Sequence, residues 1–522
     1  MQPDRYRRRL EAHVALGRYE AALATLSAWR ERAPELLEPE LLHARIDLGR
    51  GRLRAARTRA LAAIRTRDCP PGLAIDVVQC LRVLVAHDAL VEWARGYPHR
   101  AALTAADRAN IVAALESIGA HAIARDWIET AVQDAPDDAA VRVNRALTRS
   151  YAGDFDGARA DLEHAIASAQ DPAIAHWMLS RLQRQTERTN HVERLRARIA
   201  AAHGDALDGE YLQFALFKEL DDLGEHAAAW QALDEGCRLV RARAPYDRAA
   251  SERLFGAITR RFPLDAPQAP VLAGEPTPIF IVGMHRSGTT LLESMLAAHP
   301  RVCAYGESLR LAGALRLAAD QAGSRMLDEA LVAAAASMDP LLVRDAFLAE
   351  GRWRIGASTH VTEKMPTCFQ AIGFIRHAFP AARIIHLRRD PMDLCFANLR
   401  ELFANGVEHS YALEDVAHFH ALYLALMRHW HAIYPGFVLD IDYEALVRDP
   451  IAVSQRVFAF CGLDWSERVV DPAAWSTRAI NTLSAVQARQ AIGTGSIGRW
   501  RSYSRWLEPL RAALDAAPAG TA

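Results

Sequence analysis

Glycine recurs on a fixed beat through the N-terminal half of this chain. The segment Gly17–Ala22, closed by Pro34, returns as Gly51–Ala56 near Pro70, as Gly119–Ala124 before Pro136, and as Gly153–Ala158 before Pro172. The glycines at 17, 51, 119 and 153 stand 34 residues apart or twice that, with one degenerate copy around position 85. A further unit, Gly224–Trp230, falls three residues out of phase. The segments between are rich in Ala, Leu and Arg and lack the alternation of strands. Such a beat predicts helical hairpins. Glycine permits the tight turn between two helices, alanine lets them approach closely, and proline ends the second helix.

The 34-residue period resembles the tetratricopeptide repeat, whose units cannot bury their own faces and therefore stack into a superhelix with a concave surface. Residues 1–245 are assigned to this array. A stretch at 246–277 contains Pro263, Pro267, Pro270 and Pro276 and reads as a connecting helix and a Pro-rich linker. Beyond it, short apolar runs (Ile279–Val282, Arg383–Leu387, Phe437–Ile441 and a weaker His360–Thr362) are separated by helical stretches. That order predicts a parallel sheet flanked by helices over residues 278–515.

The strongest local signal follows the first of these strands. Gly283 and Gly288 stand five apart in Gly283-Met-His-Arg286-Ser287-Gly288-Thr289-Thr290, the spacing of a phosphate-binding loop. Such a loop turns its backbone N–H groups inward, and the helix that follows adds its positive end. Thr289 stands where a nucleotide triphosphatase has its lysine, and Arg286 is the cation instead.

Arg286–Leu292 after an apolar strand resembles the 5′-phosphosulfate loop of the sulfotransferase superfamily. Further segments fall in the family's order. Tyr305-Gly306-Glu307 resembles the acid-bearing turn of the tyrosylprotein sulfotransferases, and Thr362-Glu363-Lys364-Met365-Pro366 a lysine segment. Arg388-Arg389-Asp390-Pro391 resembles the start of the 3′-phosphate element, and Asp442–Pro450 a Tyr-Glu segment. Ser484–Gln490 with Ser496–Trp500 resembles the C-terminal lid of bacterial repeat-containing sulfotransferases. The resemblance implies an all-α tetratricopeptide superhelix followed by an α/β P-loop-like sulfotransferase domain. It also implies sulfuryl transfer from 3′-phosphoadenosine 5′-phosphosulfate (PAPS), with no metal, to an acceptor hydroxyl, including that of a protein or peptide tyrosine.

The same resemblance assigns roles. Glu307 is the base, Lys364 and Ser484 act at the departing oxygen, and Arg286 serves both catalysis and donor binding. Ser287, Gly288, Thr289 and Thr290 cradle the phosphosulfate; Arg389 and Arg499 meet the 3′-phosphate; Tyr443 packs near the adenosine. One position departs from the pattern. Ala397 stands where the family carries a serine, which removes a hydroxyl donor worth about 0.5–1.5 kcal/mol; Asn398 and Arg400 are the candidates to replace it.

Composition narrows the alternatives. A net charge of −1 gives no bulk case for nucleic acid or an anionic membrane, and no apolar run reaches the ~20 residues of a membrane span. With no apolar leader near the N-terminus, a cytoplasmic protein is expected. The seven cysteines are scattered and read as buried, reduced thiols. His418 and His429, or His420 and His431, share a helix face but lie about 16 Å apart along its axis, too far to hold one ion. The acceptor is left open among a protein, a peptide and a small hydroxyl compound. The array is expected to take a protein partner, and a homo-oligomer stays open. Two other readings stand beside the enzyme: a repeat scaffold with a degenerate sulfotransferase domain, and a P-loop kinase with Asp440 or Asp442 as its magnesium-binding acid.

Overall fold

A computed structural model describes residues 3–201, 206–323, 325–404, 406–475, 486, 489 and 491–516. From Pro3 to Arg261 the described chain is helical, and neighbouring helices pack pairwise, as Ala105–Ser117 on His121–Asp134 and Ala139–Ala152 on Phe155–Ile166. The turn glycines adopt the left-handed conformation the period requires, with φ of 67° at Gly17, 74° at Gly51 and Gly119, and 88° at Gly153. The degenerate copy keeps the same geometry without glycine. Val85 occupies it at φ 49°, an unfavourable conformation for a β-branched residue. Its side chain sits where a Cβ on Gly313 of the C-terminal half would be, 2.6 Å from Val85 Cγ1. The one array turn that lost its glycine on this beat is thus pressed against the other half of the molecule.

Five parallel strands follow, β1 Thr277–Val282, β2 Val302–Ala304, β3 His360–Glu363, β4 Arg383–Arg388 and β5 Val438–Asp442, in the spatial order β2-β3-β1-β4-β5. β1 is central. Its residues Ile279 to Val282 are fully buried, which is why it reads as a continuous apolar run rather than an alternating one. β2 is only three residues long, too short to leave a pattern in the sequence. In an open α/β sheet, ligands bind beyond the carboxyl ends of the strands where the strand order reverses; here that places the loop after β1 between the ends of β3 and β4.

The apolar core does not stop at residue 245. One continuous cluster joins Leu212, Phe217, Leu233 and Phe262 of the helical half to Phe280, Phe369, Phe374 and Trp430 of the sheet half. The Pro-rich stretch is correspondingly anchored: Ala269 is buried, and its N–H donates to the carbonyl of His377 at 2.8 Å. The seven cysteines are buried and unpaired with one another. No helix among the described residues is long and apolar enough to cross a membrane.

Candidate functional site

The loop after β1 is shaped by contacts only glycine tolerates. At Gly283 (φ 153°) a Cβ would lie 2.8 Å from the carbonyl oxygen of Leu387 and 2.9 Å from Ser287 Oγ. At Gly288 (φ 104°) it would strike the ring of Tyr443. Arg286 sits between them at φ 67°, a conformation uncommon outside glycine that turns the loop toward the start of helix Thr289–Ala297. Thr289 and Thr290 lie buried in the first turn of that helix, whose leading N–H groups have no intrahelical partner. Ser287 Oγ is buried with no hydrogen-bond partner among the described residues.

Around the loop stands a cluster of arginines. Arg286 Nε lies 3.6 Å from Glu401 Oε2, and Arg181, from helix Ala173–Arg181 of the array, meets the same carboxylate at 2.5 Å. Arg389 donates Nη1 to the carbonyl of Arg286 at 2.8 Å and Nη2 to that of Ser496 at 2.7 Å, while its buried Nε has no hydrogen-bond partner among the described residues. Its guanidinium lies 4.7 Å over the ring of Tyr443, whose hydroxyl is 2.6 Å from Ser496 Oγ. Arg400 and Arg499 share Asp221 of the array, at 2.6 and 2.8 Å. Burial lowers the proton affinity of Arg286; Glu401 opposes this, and Arg181, Arg389 and Arg400 lower it further. Arginine stays charged regardless, so several positive charges stand close together beside the loop.

Beside the loop, Lys364 follows β3 and Glu307 follows β2. Lys364 Nζ donates to Glu307 Oε1 at 2.5 Å; the lysine side chain is 1% exposed and the glutamate 35%. Gly306 (φ 71°) makes the turn, its N–H donating to Glu293 at 2.9 Å, and Glu293 also accepts from Thr362 Oγ1 at 2.6 Å. That buried glutamate ties the ends of β2 and β3 together and fixes the Glu307–Lys364 pair. Burial lowers the proton affinity of His285; Glu307 opposes this, and Lys364 and Arg286 add to it. Tyr151 of the array also faces Glu307; burial, then Glu116 and Glu307, push its phenol above the ordinary range.

Of the residues expected from sequence, Arg286, Ser287, Gly288, Thr289, Thr290, Arg389 and Tyr443 thus gather at one loop, with Glu307 and Lys364 beside it. Arg499 joins the arginine cluster through Asp221. Ser484 lies outside the described residues, as do Gln487 and Gln490. Asn398 donates Nδ2 to the carbonyls of His285 and Leu394, which holds the loop. Arg181, Asp221, Tyr151, Glu293 and Glu401 were not foreseen, because each acts far in sequence from the motif it serves.

The described residues Arg489, Gly498 and Trp500 contact the rest of the chain. Asp393 accepts from the N–H of Gly498 at 2.5 Å and of Trp500 at 3.4 Å, and Arg489 donates to the carbonyl of Tyr151 at 2.6 Å. Residues 278–467 match the sulfotransferase family. A curated relative, an uncharacterized protein of Aquifex aeolicus (strain VF5), is 29% identical over 310 residues, 57% of this chain and 40% of that protein. The chain therefore spans well under half the length of this relative. Among solved structures, the sulfotransferase domain of the Synechococcus PCC 7002 olefin synthase is 20% identical, covering 46% of this chain and 98% of its own, with a TM-score of 0.28. Sulfotransferase STF1 from Mycobacterium tuberculosis H37Rv is 15% identical, with coverages of 62% and 98% and a TM-score of 0.24. With TM-scores this low, neither likeness bears on the chemistry of the site.

On the edge strand β5, Asp440 accepts from His386 Nδ1 at 2.8 Å and from His431 Nε2 at 3.1 Å, and Arg388 lies 3.6 Å away. His386 Nε2 meets the Tyr423 hydroxyl. These ligand-type atoms all lie within 4.8 Å of one another, a grouping invisible to the helical spacing of His431 alone. Asp442 is paired with Arg388 at 2.8 Å. Both acids proposed for a kinase are therefore engaged by cationic or imidazole partners.

Proposed function

We propose that this chain takes a sulfuryl group from PAPS and places it on an acceptor hydroxyl, and that the helical array recruits a protein or peptide tyrosine as acceptor. One observation carries the reading. A half-exposed carboxylate and a buried ammonium, Glu307 and Lys364, stand 2.5 Å apart beside an arginine-lined phosphate loop. That is a base and an acid for a group transfer between two oxygens. The fit to the donor rests on groups that lack partners: Ser287 Oγ and Arg389 Nε are buried donors with no acceptor among the described residues. Arg181, Arg286, Arg389, Arg400 and Arg499 stand around the loop, and such a cluster suits a donor bearing several anionic groups.

In this reading the loop residues Arg286 to Thr290 hold the phosphosulfate. Glu307 accepts the acceptor's hydroxyl proton as its oxygen bonds to sulfur. The bond from sulfur to the bridging oxygen breaks, its electron pair stays on the 5′-phosphate, and Lys364 stabilises the charge left there. General base assistance of this kind contributes roughly 10²–10⁴-fold. A phenol, with a pKa of about 10, gives up its proton more readily than an alkyl alcohol and suits a carboxylate base.

Calorimetry with adenosine 3′,5′-bisphosphate, with and without Mg²⁺ and against ATP, tests the donor. Micromolar, metal-independent binding that Arg286→Ala abolishes is expected; preference for Mg-ATP sinks the reading and favours the kinase. Transfer of labelled sulfate from PAPS to tyrosine peptides should fall about 100-fold or more in Glu307→Gln with donor affinity kept. Equal turnover by that variant would remove Glu307 as the base.

A further inference from the structure

Two of the arginines in the cluster are held from behind by a residue outside the sulfotransferase domain. Asp221 lies in the array helix Ala206–Asp222, and its side chain is 4% exposed. Its Oδ2 accepts from Arg400 Nη2 at 2.6 Å and from Arg499 Nη2 at 2.8 Å, and its Oδ1 accepts from the Tyr503 hydroxyl at 2.7 Å. Three separate pieces of chain converge on one carboxylate: the end of helix Pro391–Leu399, the turn Arg499–Tyr503, and the array.

The electrostatics explain why the carboxylate is needed. Arg400 is the strongest influence lowering Arg499, and burial adds to it, so the two guanidiniums repel where they stand. Burial alone would raise the proton affinity of Asp221, yet Arg400, Arg499 and the Tyr503 hydroxyl hold it below the ordinary range. Each arginine gives the carboxylate one nitrogen. Arg400 also lies over the rings of Phe217 and Phe396, and the two arginine side chains are 17% and 42% exposed. Arg400 directly precedes Glu401, the partner of Arg286, so this fork adjoins the phosphate loop. It also stands three residues beyond Ala397, where the hydroxyl donor is missing.

We propose that Asp221 is a positioning residue for the donor's 3′-phosphate: it holds Arg400 and Arg499 as a preformed fork, so the helical array completes the donor site. The inference rests on the PAPS reading and adds to it that selectivity for the 3′-phosphate depends on a residue of the array. A guanidinium fork thereby replaces the hydroxyl absent at Ala397. Outer contacts that orient metal ligands influence affinity by about one to two orders of magnitude, and the guanidinium fork is expected to follow the same scale.

The test compares adenosine 3′,5′-bisphosphate with adenosine 5′-monophosphate, which differ only in the 3′-phosphate. Calorimetry on the full chain is run for the unaltered protein, Asp221→Asn and Tyr503→Phe, with thermal melting of each. Asp221→Asn should lose about tenfold or more in bisphosphate affinity while 5′-monophosphate binding shifts less than about twofold. Tyr503→Phe, which loosens the same carboxylate without touching either arginine, should lose about two- to fivefold, again only for the bisphosphate. It carries the test if Asp221→Asn does not fold. Unchanged or tighter bisphosphate binding in the variants overturns the inference, and so does an equal loss for both nucleotides. An unaltered protein that binds neither nucleotide overturns the PAPS reading itself, whereas tight binding that the variants leave intact overturns only the role of Asp221.

Discussion

The helical array meets the sheet half of the molecule along two seams of opposite character. The later helices, Ala173–Arg181 through Arg248–Arg261, join it through a shared apolar core in which Phe262 packs on Phe374 and Trp430. The earlier helices Leu53–Thr66 and His87–Gly96 join it mainly through polar groups. Arg57 pairs with Glu350, whose other oxygen accepts the N–H of Asp88 at 3.1 Å; Asp88 accepts from the N–H of Gly351; Arg54 reaches Asp320. One hairpin unit, repeated, has made both. The apolar contacts of the first seam are non-directional and insensitive to protonation, although the Arg181–Glu401 and Asp221–Arg400 pairs cross it as well. The polar seam is directional and depends on charge state, so it is the joint that conditions can loosen while the other holds.

Phe262→Ala should cause the largest change. Phe262 is 2% exposed, and truncating a buried aromatic costs about 3–5 kcal/mol. Urea unfolding should shift as one transition for the whole chain; separate transitions for array and sheet would break the comparison. Next comes acid. Burial pushes the His87 imidazole down to about 4, with Glu350 opposing and Arg310 and Arg57 adding to the effect. Above the ordinary pKa of about 6.5 it is neutral folded or unfolded; as pH falls toward 4 only the unfolded chain takes the proton. Stability should therefore drop by up to about 3 kcal/mol over that window, and His87→Leu should flatten the loss. An unchanged acid limb in that variant would remove His87 as its source.

Glu350→Gln should cost about 1–3 kcal/mol, below the figure for a fully buried pair. A double-mutant cycle with Arg57→Ala should recover most of that as coupling, and additive losses would mean the seam holds by other contacts. Arg54→Ala is the smallest, within about 0.5 kcal/mol, because its pair with Asp320 is largely exposed. A larger melting shift there would show the polar seam to be stiffer than its exposure suggests.

The fold was legible where a local rule is strict. Turn glycines at 17, 51, 119 and 153 marked the hairpins because each turn demands positive φ. The loop from Gly283 to Thr290 was legible because a phosphate cradle needs close backbone approach. The copy around position 85 read as degenerate because Val85, whose side chain packs at Gly313, stands in the strained turn in place of a glycine. β2 escaped because three residues carry no period. Glu293, Glu401 and Asp221 escaped for a different reason. Each is an ordinary acid in an ordinary helix or helix end, and its meaning arises only when distant chain segments close around it. The same holds for His431, whose partners His386 and Asp440 come from neighbouring strands.

The shared core has a practical corollary for anyone cutting or recombining this chain. The Pro-rich stretch near Pro263 looks like the natural scissor point, but a fragment beginning there would leave Phe369, Phe374 and Trp430 facing water on one side. It would also lose Arg181 and Asp221. The smallest transplantable unit therefore begins before Ala173, and the hairpins ahead of it still meet the sheet half through Arg57, Val85 and Asp88.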